Sequence, residues 1–137
     1  MSRRFVLYTD GASRGNPGPS SIGAVIYFDG HDGLEEVADI SEPIGHTTNN
    51  VAEYKAVIAG LKLVGQLDPD DVLVRADSQL LVRQLEGRYR VKSPNLKPLY
   101  GQVCALVESL PCVRFEHVRR EENTVADGLA NEALDQL

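Results

Sequence analysis

Four acidic residues stand where an apolar segment ends or an amphipathic segment begins, and their type suits one kind of chemistry. They are Asp10, Glu53, Asp77 and Asp127. Carboxylates, water and phosphate oxygens are the ligands that Mg²⁺ takes in proteins. If the four side chains meet, their charges repel one another and raise at least one pKa unless cations neutralise them. Two divalent ions resolve that conflict, and such a pair suits in-line attack on a phosphodiester.

Each of these acids also has a purely structural explanation. Asp10 precedes a glycine, as a turn aspartate does, and Asp77 precedes a helix, where a negative charge is favourable. Glu53 follows Asn50 by three residues, the spacing of a capping box. Asp127 could belong to the polar face of the last helix. Glu53, however, shares a helical row with apolar residues and with no lysine or arginine, so an inward-leaning carboxylate there needs a partner.

The apolar pattern predicts the elements that must position these acids. Residues 4–9 are apolar on both faces, which is typical of a central strand, and residues 51–67 repeat apolar positions at three and four, which is typical of an amphipathic helix. Hairpin signals in the N-terminal third indicate an antiparallel unit, and the later alternation of helices and strands implies parallel crossovers. We expect one α/β domain over 1–137, with a mixed five-stranded sheet and helices on both faces. The other predicted elements are a loop at 11–20, strands near 22–28, 35–44, 72–76 and 113–118, and helices at 78–85, 96–110 and 123–137.

The composition is that of an ordinary globular domain, with one conspicuous bias in charge. Of the 137 residues, 42% are hydrophobic and 25% are charged, and the formal net charge is −6. That excess of acid argues against a nucleic-acid partner, because phosphates attract a basic surface. Segment 87–97, however, carries Arg88, Arg90, Lys92 and Lys97 with no acid between them. We therefore expect a polarised surface whose affinity for nucleic acid is modest and sensitive to salt.

Targeting and redox signals point to a soluble cytoplasmic protein without a membrane partner. The longest apolar stretches are five or six residues, far short of the roughly 20 that span a bilayer. The N-terminus reaches charged residues before a signal sequence could form. Cys104 and Cys112 lack the spacing of a zinc site, so we predict two buried free thiols in a reducing compartment. A monomer is the expected state.

Four motifs resemble those of type 1 ribonuclease H (ribonuclease HI), and they occur in the order of that family. Segment 8–19 reads YTDGASRGNPGP, segment 47–54 reads TTNNVAEY, segment 76–79 reads ADSQ and segment 120–127 reads REENTVAD. The last motif is similar to that of bacterial and archaeal members with a short final loop. Together the motifs cover nearly the whole chain. The resemblance implies the ribonuclease H-like fold, which agrees with the predicted elements.

The same resemblance implies a metal-dependent endonuclease that cuts the RNA strand of an RNA–DNA hybrid. The four acids would hold two Mg²⁺ ions, with Mn²⁺ as a possible substitute. The products would carry a 5′-phosphate and a 3′-hydroxyl. The alternatives that stay open are another nuclease of this fold, acting on junctions or double-stranded RNA, and a non-catalytic module that binds hybrids.

The resemblance also implies a set of substrate-binding residues. The glycine-rich segment 11–16 would let its backbone approach RNA closely, and groups in it contact ribose 2′-hydroxyls in the family. Thr48 matches a position near a DNA phosphate, whereas Asn49 and Gln79 match positions that reach the minor groove. A helix cap at Thr48 and Asn49, and plain exposure of Gln79, are the structural alternatives. The candidate substrate-binding residues are Gly11, Ser13, Asn16, Thr48, Asn49, Gln79, Arg88 and Lys92.

The chain departs from well-studied members of the family at the loop before the last acid. Those members carry a mobile catalytic histidine there. His117 stands ten residues before Asp127, but it belongs to an alternating strand pattern, so we predict a place inside the last strand. Short-loop members place an arginine in this loop. Arg120 is therefore the candidate catalytic residue that assists water positioning or product release, with Arg119 second and plain solvent exposure as the alternative.

Overall fold

One mixed sheet with helices on both faces organises the chain. The structure, a computed structural model, describes residues 2–137. Within these residues lie five strands, four α-helices and a 3₁₀ helix at Arg120–Glu122. The strands are β1 (Arg4–Ser13), β2 (Gly18–Gly30), β3 (Gly33–Thr47), β4 (Asp71–Ala76) and β5 (Val113–His117), and the helices are α1 (Asn49–Gly65), α2 (Gln79–Leu85), α3 (Lys97–Ser109) and α4 (Thr124–Asp135).

The strand order is β3-β2-β1-β4-β5. The pairs β1–β2 and β2–β3 are antiparallel, whereas β1–β4 and β4–β5 are parallel. This is the predicted mixed sheet. Thr9 of β1 pairs with Ala76 of β4, so the next residues along the two strands are Asp10 and Asp77. The parallel register therefore brings the first and third acids to one edge of the sheet.

The main core lies between one sheet face and helices α1, α2 and α3. Leu7, Ile26, Val57 and Val74 are among its buried side chains. Helix α4 covers part of the opposite face, where it lies so close to β2 that a Cβ added at Gly23 would stand 2.2 Å from the carbonyl oxygen of Ala126. The expectation of helices on both faces is thus confirmed.

Two predictions about the N-terminal segment are wrong. The predicted loop at 11–20 shrinks to a turn at residues 14–17, because β1 continues to Ser13 and β2 begins at Gly18. Asp10 consequently lies within β1 and pairs with Gly23, and does not follow the strand. A glycine with φ of 102° at position 15 permits the tight turn.

The cysteines are free, as predicted, but both are exposed. Cys104 follows Val103, the buried residue of α3, so its side chain starts from another part of the helix surface. Cys112 lies in the exposed connection that precedes β5. Among residues 2–137, no helix is both long and apolar enough to cross a membrane.

Candidate active site

The four predicted acids line one cavity at the edge of the sheet. Its volume is about 470 Å³. Arg120 and Asn131 complete the wall on the side of α4. The full lining comprises Asp10, Gly11, Ala12, Ser13, Asn49, Glu53, Asp77, Arg120, Asp127 and Asn131. Residues more than one hundred positions apart in sequence therefore form one acidic chamber.

Helix α1 brings Glu53 into this cavity. The helix begins after Thr48, whose side chain accepts a hydrogen bond from the Val51 amide at 3.3 Å. Thr48 is therefore the N-cap, and the capping box with Asn50 at its start is not formed. A Cβ at Gly11 would lie 2.3 Å from the backbone nitrogen of Glu53. Only glycine leaves room for β1 to approach the helix so closely.

The other acids are set by the ends of neighbouring elements. Asp77 follows β4 directly, and Ser78, not Asp77, caps α2 by accepting a hydrogen bond from the Leu81 amide at 3.2 Å. Asp127 lies in the first turn of α4. Asp77 is therefore not the cap of α2, and it lines the cavity instead.

Burial and mutual repulsion disturb the ionisation of two of the acids. Asp10 is 9% exposed. Burial is the main cause that raises the pKa of Asp10 to about 8, and the nearby charges of Asp77 and Asp127 add to it. Burial likewise raises the pKa of Glu53 to about 7, although hydrogen bonds from the side chains of Ser78 and Asn49 act to lower that pKa. The free protein thus holds a carboxylate cluster that lacks enough positive charge.

Arg120 is the cationic side chain of the cavity wall. Arg119, the second candidate, lies close to Glu121 and Glu122, at 3.6 and 3.3 Å. His117 is the last residue of β5, exposed and outside the cavity lining. The structure therefore places Arg120, and neither of the other two, beside the four acids.

The donor set suits hard divalent cations. Its four side chains are all carboxylates, which are the oxygen ligands that Mg²⁺ and Mn²⁺ accept. The raised pKa values of Asp10 and Glu53 reflect charge that a cation would neutralise. As the side chains stand, no group of three or more His, Cys, Asp or Glu among residues 2–137 is arranged to hold an ion.

Asn123 is a site residue that the sequence analysis did not single out. Its side chain is 1% exposed. The amide nitrogen donates to the carbonyl oxygen of Thr9 at 2.9 Å and to Oδ2 of Asp77 at 3.1 Å. One buried amide thus joins β1, the end of β4 and the start of α4. The available signal was an asparagine at a predicted helix start, which usually indicates a cap alone.

The predicted substrate-binding residues fall into two groups. Gly11, Ser13 and Asn49 line the cavity. Asn16 lies beside it, because Oδ1 of Asn16 accepts a hydrogen bond from the backbone N–H of Asn49 at 3.0 Å. Thr48 caps α1 next to them. The second group lies outside the cavity lining and is exposed to solvent; it consists of Gln79, Arg88 and Lys92.

Comparison with known proteins agrees with the geometry. The model of a family described as reverse transcriptase-like matches residues 8–133. A Mycobacterium tuberculosis protein described as bifunctional is 44% identical over 96% of this chain, which spans 36% of that protein. Ribonuclease HI of Halobacterium salinarum is 43% identical over 96% of this chain, which spans 65% of it. The chain thus covers about one third to two thirds of the length of these relatives.

Two solved structures of ribonucleases H match this chain over nearly their whole length. RNase H1 of Halobacterium salinarum superposes with a TM-score of 0.91 at 42% identity, covering 98% of this chain and 99% of the other. LC11-RNase H1, solved in complex with an RNA/DNA hybrid, superposes with a TM-score of 0.89 at 42% identity, covering 96% and 97%. With the four acids in one cavity and the full sheet topology matched, the chain belongs to the type 1 ribonuclease H family.

Proposed function

We propose that this chain hydrolyses the RNA strand of RNA–DNA hybrids at the cavity of the four acids. The observation that carries the proposal is the meeting of Asp10, Glu53, Asp77 and Asp127 in one chamber, where the pKa of Asp10 is raised to about 8. Such a cluster costs stability, so it calls for a cationic ligand. Membership of the family and a relative solved with a hybrid support the same substrate.

The four carboxylates would hold two Mg²⁺ ions, or Mn²⁺ in their place. When bound, the ions would lower the pKa of the attacking water and stabilise the leaving oxygen. The water oxygen forms a bond to phosphorus as the bond from phosphorus to the 3′ oxygen breaks, and that oxygen takes up a proton. The products would carry a 5′-phosphate and a 3′-hydroxyl. Asn123 orients Asp77 in this scheme, because its amide donates to that carboxylate.

Arg120 would act on the phosphate and its water from the open side of the cavity. The guanidinium is the cationic group of the cavity wall, and it presents several fixed donors that match phosphate oxygens. A guanidinium is not a proton-transfer group in proteins, so the role of Arg120 would be to hold oxygens in place. Water positioning and product release are the two steps that it would assist.

Strand discrimination would come from the two groups of binding residues. Gly11, Ser13, Asn16 and Asn49 lie on or beside the cavity, where they would contact the 2′-hydroxyls that distinguish RNA from DNA. Thr48 and Gln79 flank that region at the starts of α1 and α2. Arg88 and Lys92 lie on the exposed basic segment that follows α2, where they would contact the DNA strand.

A panel of labelled nucleic acids tests the proposal. It contains an RNA–DNA hybrid, duplex DNA, duplex RNA and a four-way junction, each with Mg²⁺. We expect cleavage of the hybrid alone, and expect Asp77→Asn to abolish cleavage while sparing hybrid binding. An intact hybrid beside a cut junction or cut duplex RNA would contradict the proposal, as would cleavage retained by Asp77→Asn. A monomeric state and a cytoplasmic location stay predictions.

A further inference from the structure

Arg14 is the single basic residue in a long segment that follows Arg3 and Arg4. No other lysine or arginine occurs between residues 5 and 54. Arg14 lies in the turn between β1 and β2, next to Ser13 of the cavity wall and two residues before Asn16. Its side chain is half exposed and forms an ion pair with Asp135, at the C-terminal end of α4. A basic group therefore lies just beyond the cavity, paired with an acid of the same chain.

The turn that carries Arg14 is held firmly. The Arg14 amide donates to the carbonyl oxygen of Pro19 at 2.8 Å, and Ser13 Oγ donates to the Thr47 carbonyl at 3.2 Å. A Cβ at Gly18 would lie 2.2 Å from the Arg14 carbonyl oxygen, so the two halves of the turn are in direct contact. The backbone of Arg14 is thus fixed relative to the cavity, and the guanidinium can move only through its side-chain torsions.

Helix α4 sets the distance between this ion pair and the acids. Asp127, Asn131 and Asp135 are spaced by four residues, so they form one row along the helix. Asp127 and Asn131 line the cavity, and Asp135 follows one turn further. At 1.5 Å per residue, Asp135 lies about 12 Å along the helix from Asp127. A nucleic-acid strand that extends from the cavity along this row would therefore reach Arg14 within a few nucleotides of the cleaved bond.

We propose that Arg14 binds a backbone phosphate of the hybrid and that Asp135 is its counterion in the free protein, replaced by that phosphate on binding. The side chains of the pair are 50% and 65% exposed, and an ion pair so exposed is weak and easily exchanged. The pair is made through one contact, from Nη2 of Arg14 to Oδ1 of Asp135, whereas a phosphate can accept two parallel hydrogen bonds from the guanidinium, which favours the exchange. This inference rests on the proposed function, because it needs a hybrid at the cavity.

The test compares the salt dependence of hybrid cleavage in matched variants. In Arg14→Gln we expect KM to rise about three- to tenfold at low salt with kcat unchanged, and the slope of log KM against log salt to become shallower by about one. Asp135→Asn should lower KM at low salt. It should have no such effect in the Arg14→Gln background, because no guanidinium is then left to release.

Two controls separate the specific contact from general charge. Arg114→Gln removes a similarly exposed arginine from its pair with Asp71, at 2.8 Å, where β4 begins and far from the cavity. Glu132→Gln removes an exposed acid from α4 itself. Neither should reproduce the change in slope. Thermal melts confirm that each variant is folded.

A slope for Arg14→Gln equal to that of the wild type, or equal to that of Arg114→Gln, overturns the inference. Hybrid binding is measured in parallel by fluorescence anisotropy in EDTA, with wild type and Arg14→Gln. A chain that binds hybrid without cutting it would overturn the proposed activity, and the binding slopes would still decide the role of Arg14. A chain that neither binds nor cuts hybrid overturns both proposals.

Discussion

Asp10 is nine-tenths buried and has three other carboxylates for neighbours. Folding therefore places this group where its charged form is unfavourable, as its pKa of about 8 records. Groups with such disturbed ionisation concentrate at functional sites, because burial and like charges are the means by which a site tunes its acids. Asn123 shows the complementary arrangement, since its buried amide stabilises the Asp77 carboxylate by a hydrogen bond. The site thus combines a carboxylate whose charged form is unfavourable with one that a buried hydrogen bond holds in place.

Asp10→Asn should abolish cleavage and stabilise the metal-free protein in a pH-dependent way. The pKa of Asp10 in the folded state, about 8, is above the ordinary value of 3.8. The folded state thus keeps a proton that the unfolded state has lost, and stability falls as the pH rises from about 4 to about 8. Asparagine removes that penalty. Melts in EDTA should show a gain of about 5 °C or more at pH 8 and a smaller gain at pH 5.

The contrasting variant is Asp71→Asn. Hydrogen bonding to Arg114 lowers the pKa of Asp71, so this carboxylate contributes stability above its ordinary pKa and loses it as the pH falls through the lowered value. Asp71→Asn should therefore destabilise the protein slightly at neutral pH and not at acid pH. If Asp10→Asn gave equal gains at pH 5 and pH 8, the raised pKa of Asp10 would not be the cause of the stabilisation.

Asn123→Ala should weaken both the fold and the site. It removes the hydrogen bonds to the Thr9 carbonyl and to Asp77, and such a loss costs about 0.5–1.5 kcal/mol for a neutral acceptor and about 1.5–3 kcal/mol for a carboxylate. We expect lower Mg²⁺ affinity by calorimetry and a kcat at least tenfold lower at saturating Mg²⁺. Thr124→Ala, at the adjacent exposed position, is the control. Unchanged metal affinity in the folded Asn123→Ala protein would contradict the positioning role.

Elements bring the acids together through two close approaches at glycines. At Gly11 the strand β1 meets the backbone of α1, and at Gly23 the strand β2 meets the backbone of α4. These contacts set the depth at which Glu53 and Asp127 enter the cavity. Neither glycine has a positive φ, so space and not backbone conformation is what requires glycine here.

Gly23→Ala should displace α4 and with it Asp127. The added Cβ would stand 2.2 Å from the Ala126 carbonyl oxygen and 2.6 Å from the Ala130 nitrogen. Overpacking of this kind costs about 1–3 kcal/mol, and cleavage should fall more than stability alone explains. The matched control is Gly128→Ala in the same helix, where a Cβ meets nothing within 4 Å. That variant should gain about 0.5–1 kcal/mol. Equal melting temperatures for the two variants would refute the close approach.

The elements could be predicted from the sequence to the extent that periodicity specifies them. Helix α1 and strand β4 were expected within two residues of their observed ends, because their apolar patterns are unambiguous. The loop predicted at 11–20 was too long, because its glycines and prolines indicate a turn but do not show where the turn begins and ends. In the structure β1 and β2 extend into this segment and leave a turn at 14–17. The predicted burial of the cysteines was wrong because composition gives only the preference of a residue type. Exposure depends on where the side chain lies, which is the surface of α3 for Cys104 and the connection before β5 for Cys112.

The acids of the site could be predicted, and their linkage could not. Four motifs in family order identified Asp10, Glu53, Asp77 and Asp127, which line one cavity. The contact of Asn123 with two separate strands depends on long-range packing, which no local pattern reveals. The pair of Arg14 with Asp135 likewise joins residues at opposite ends of the sequence.

The charge of the whole molecule is distributed unevenly. Between residues 15 and 54 there is no lysine or arginine, whereas the turn into β3 and the strand itself carry many of the acids. β3 is an edge strand and most of its residues are exposed, so acids there also discourage pairing with other sheets. The basic segment 87–97 lies in another part of the chain. A net charge of −6 is therefore compatible with a local surface that binds phosphates.

Removing basic charge from segment 87–97 should weaken hybrid binding, whereas removing acidic charge from β3 should strengthen hybrid binding only slightly. The double variant Arg88→Gln, Lys92→Gln should raise KM for hybrid several-fold at low salt and flatten its salt dependence by about two, because each phosphate contact releases counterions. The control is Glu35→Gln, Glu36→Gln in β3, which changes the net charge by the same amount in the opposite sense. If the two pairs shifted KM equally and oppositely, net charge and not the local surface would govern binding.

Mapped cleavage of an end-labelled RNA–DNA hybrid decides whether the four acids form a metal-dependent nuclease site for RNA. The wild type and the Asp10→Asn, Glu53→Gln, Asp77→Asn and Asp127→Asn variants are each incubated with hybrid in Mg²⁺ and in EDTA. We expect internal cuts in the RNA strand alone, with 5′-phosphate and 3′-hydroxyl ends. This cleavage should be lost in EDTA and reduced at least a hundredfold in the folded Asp10 and Asp77 variants. Cuts in the DNA strand, cleavage that persists in EDTA, or full activity in the Asp10 variant would contradict it.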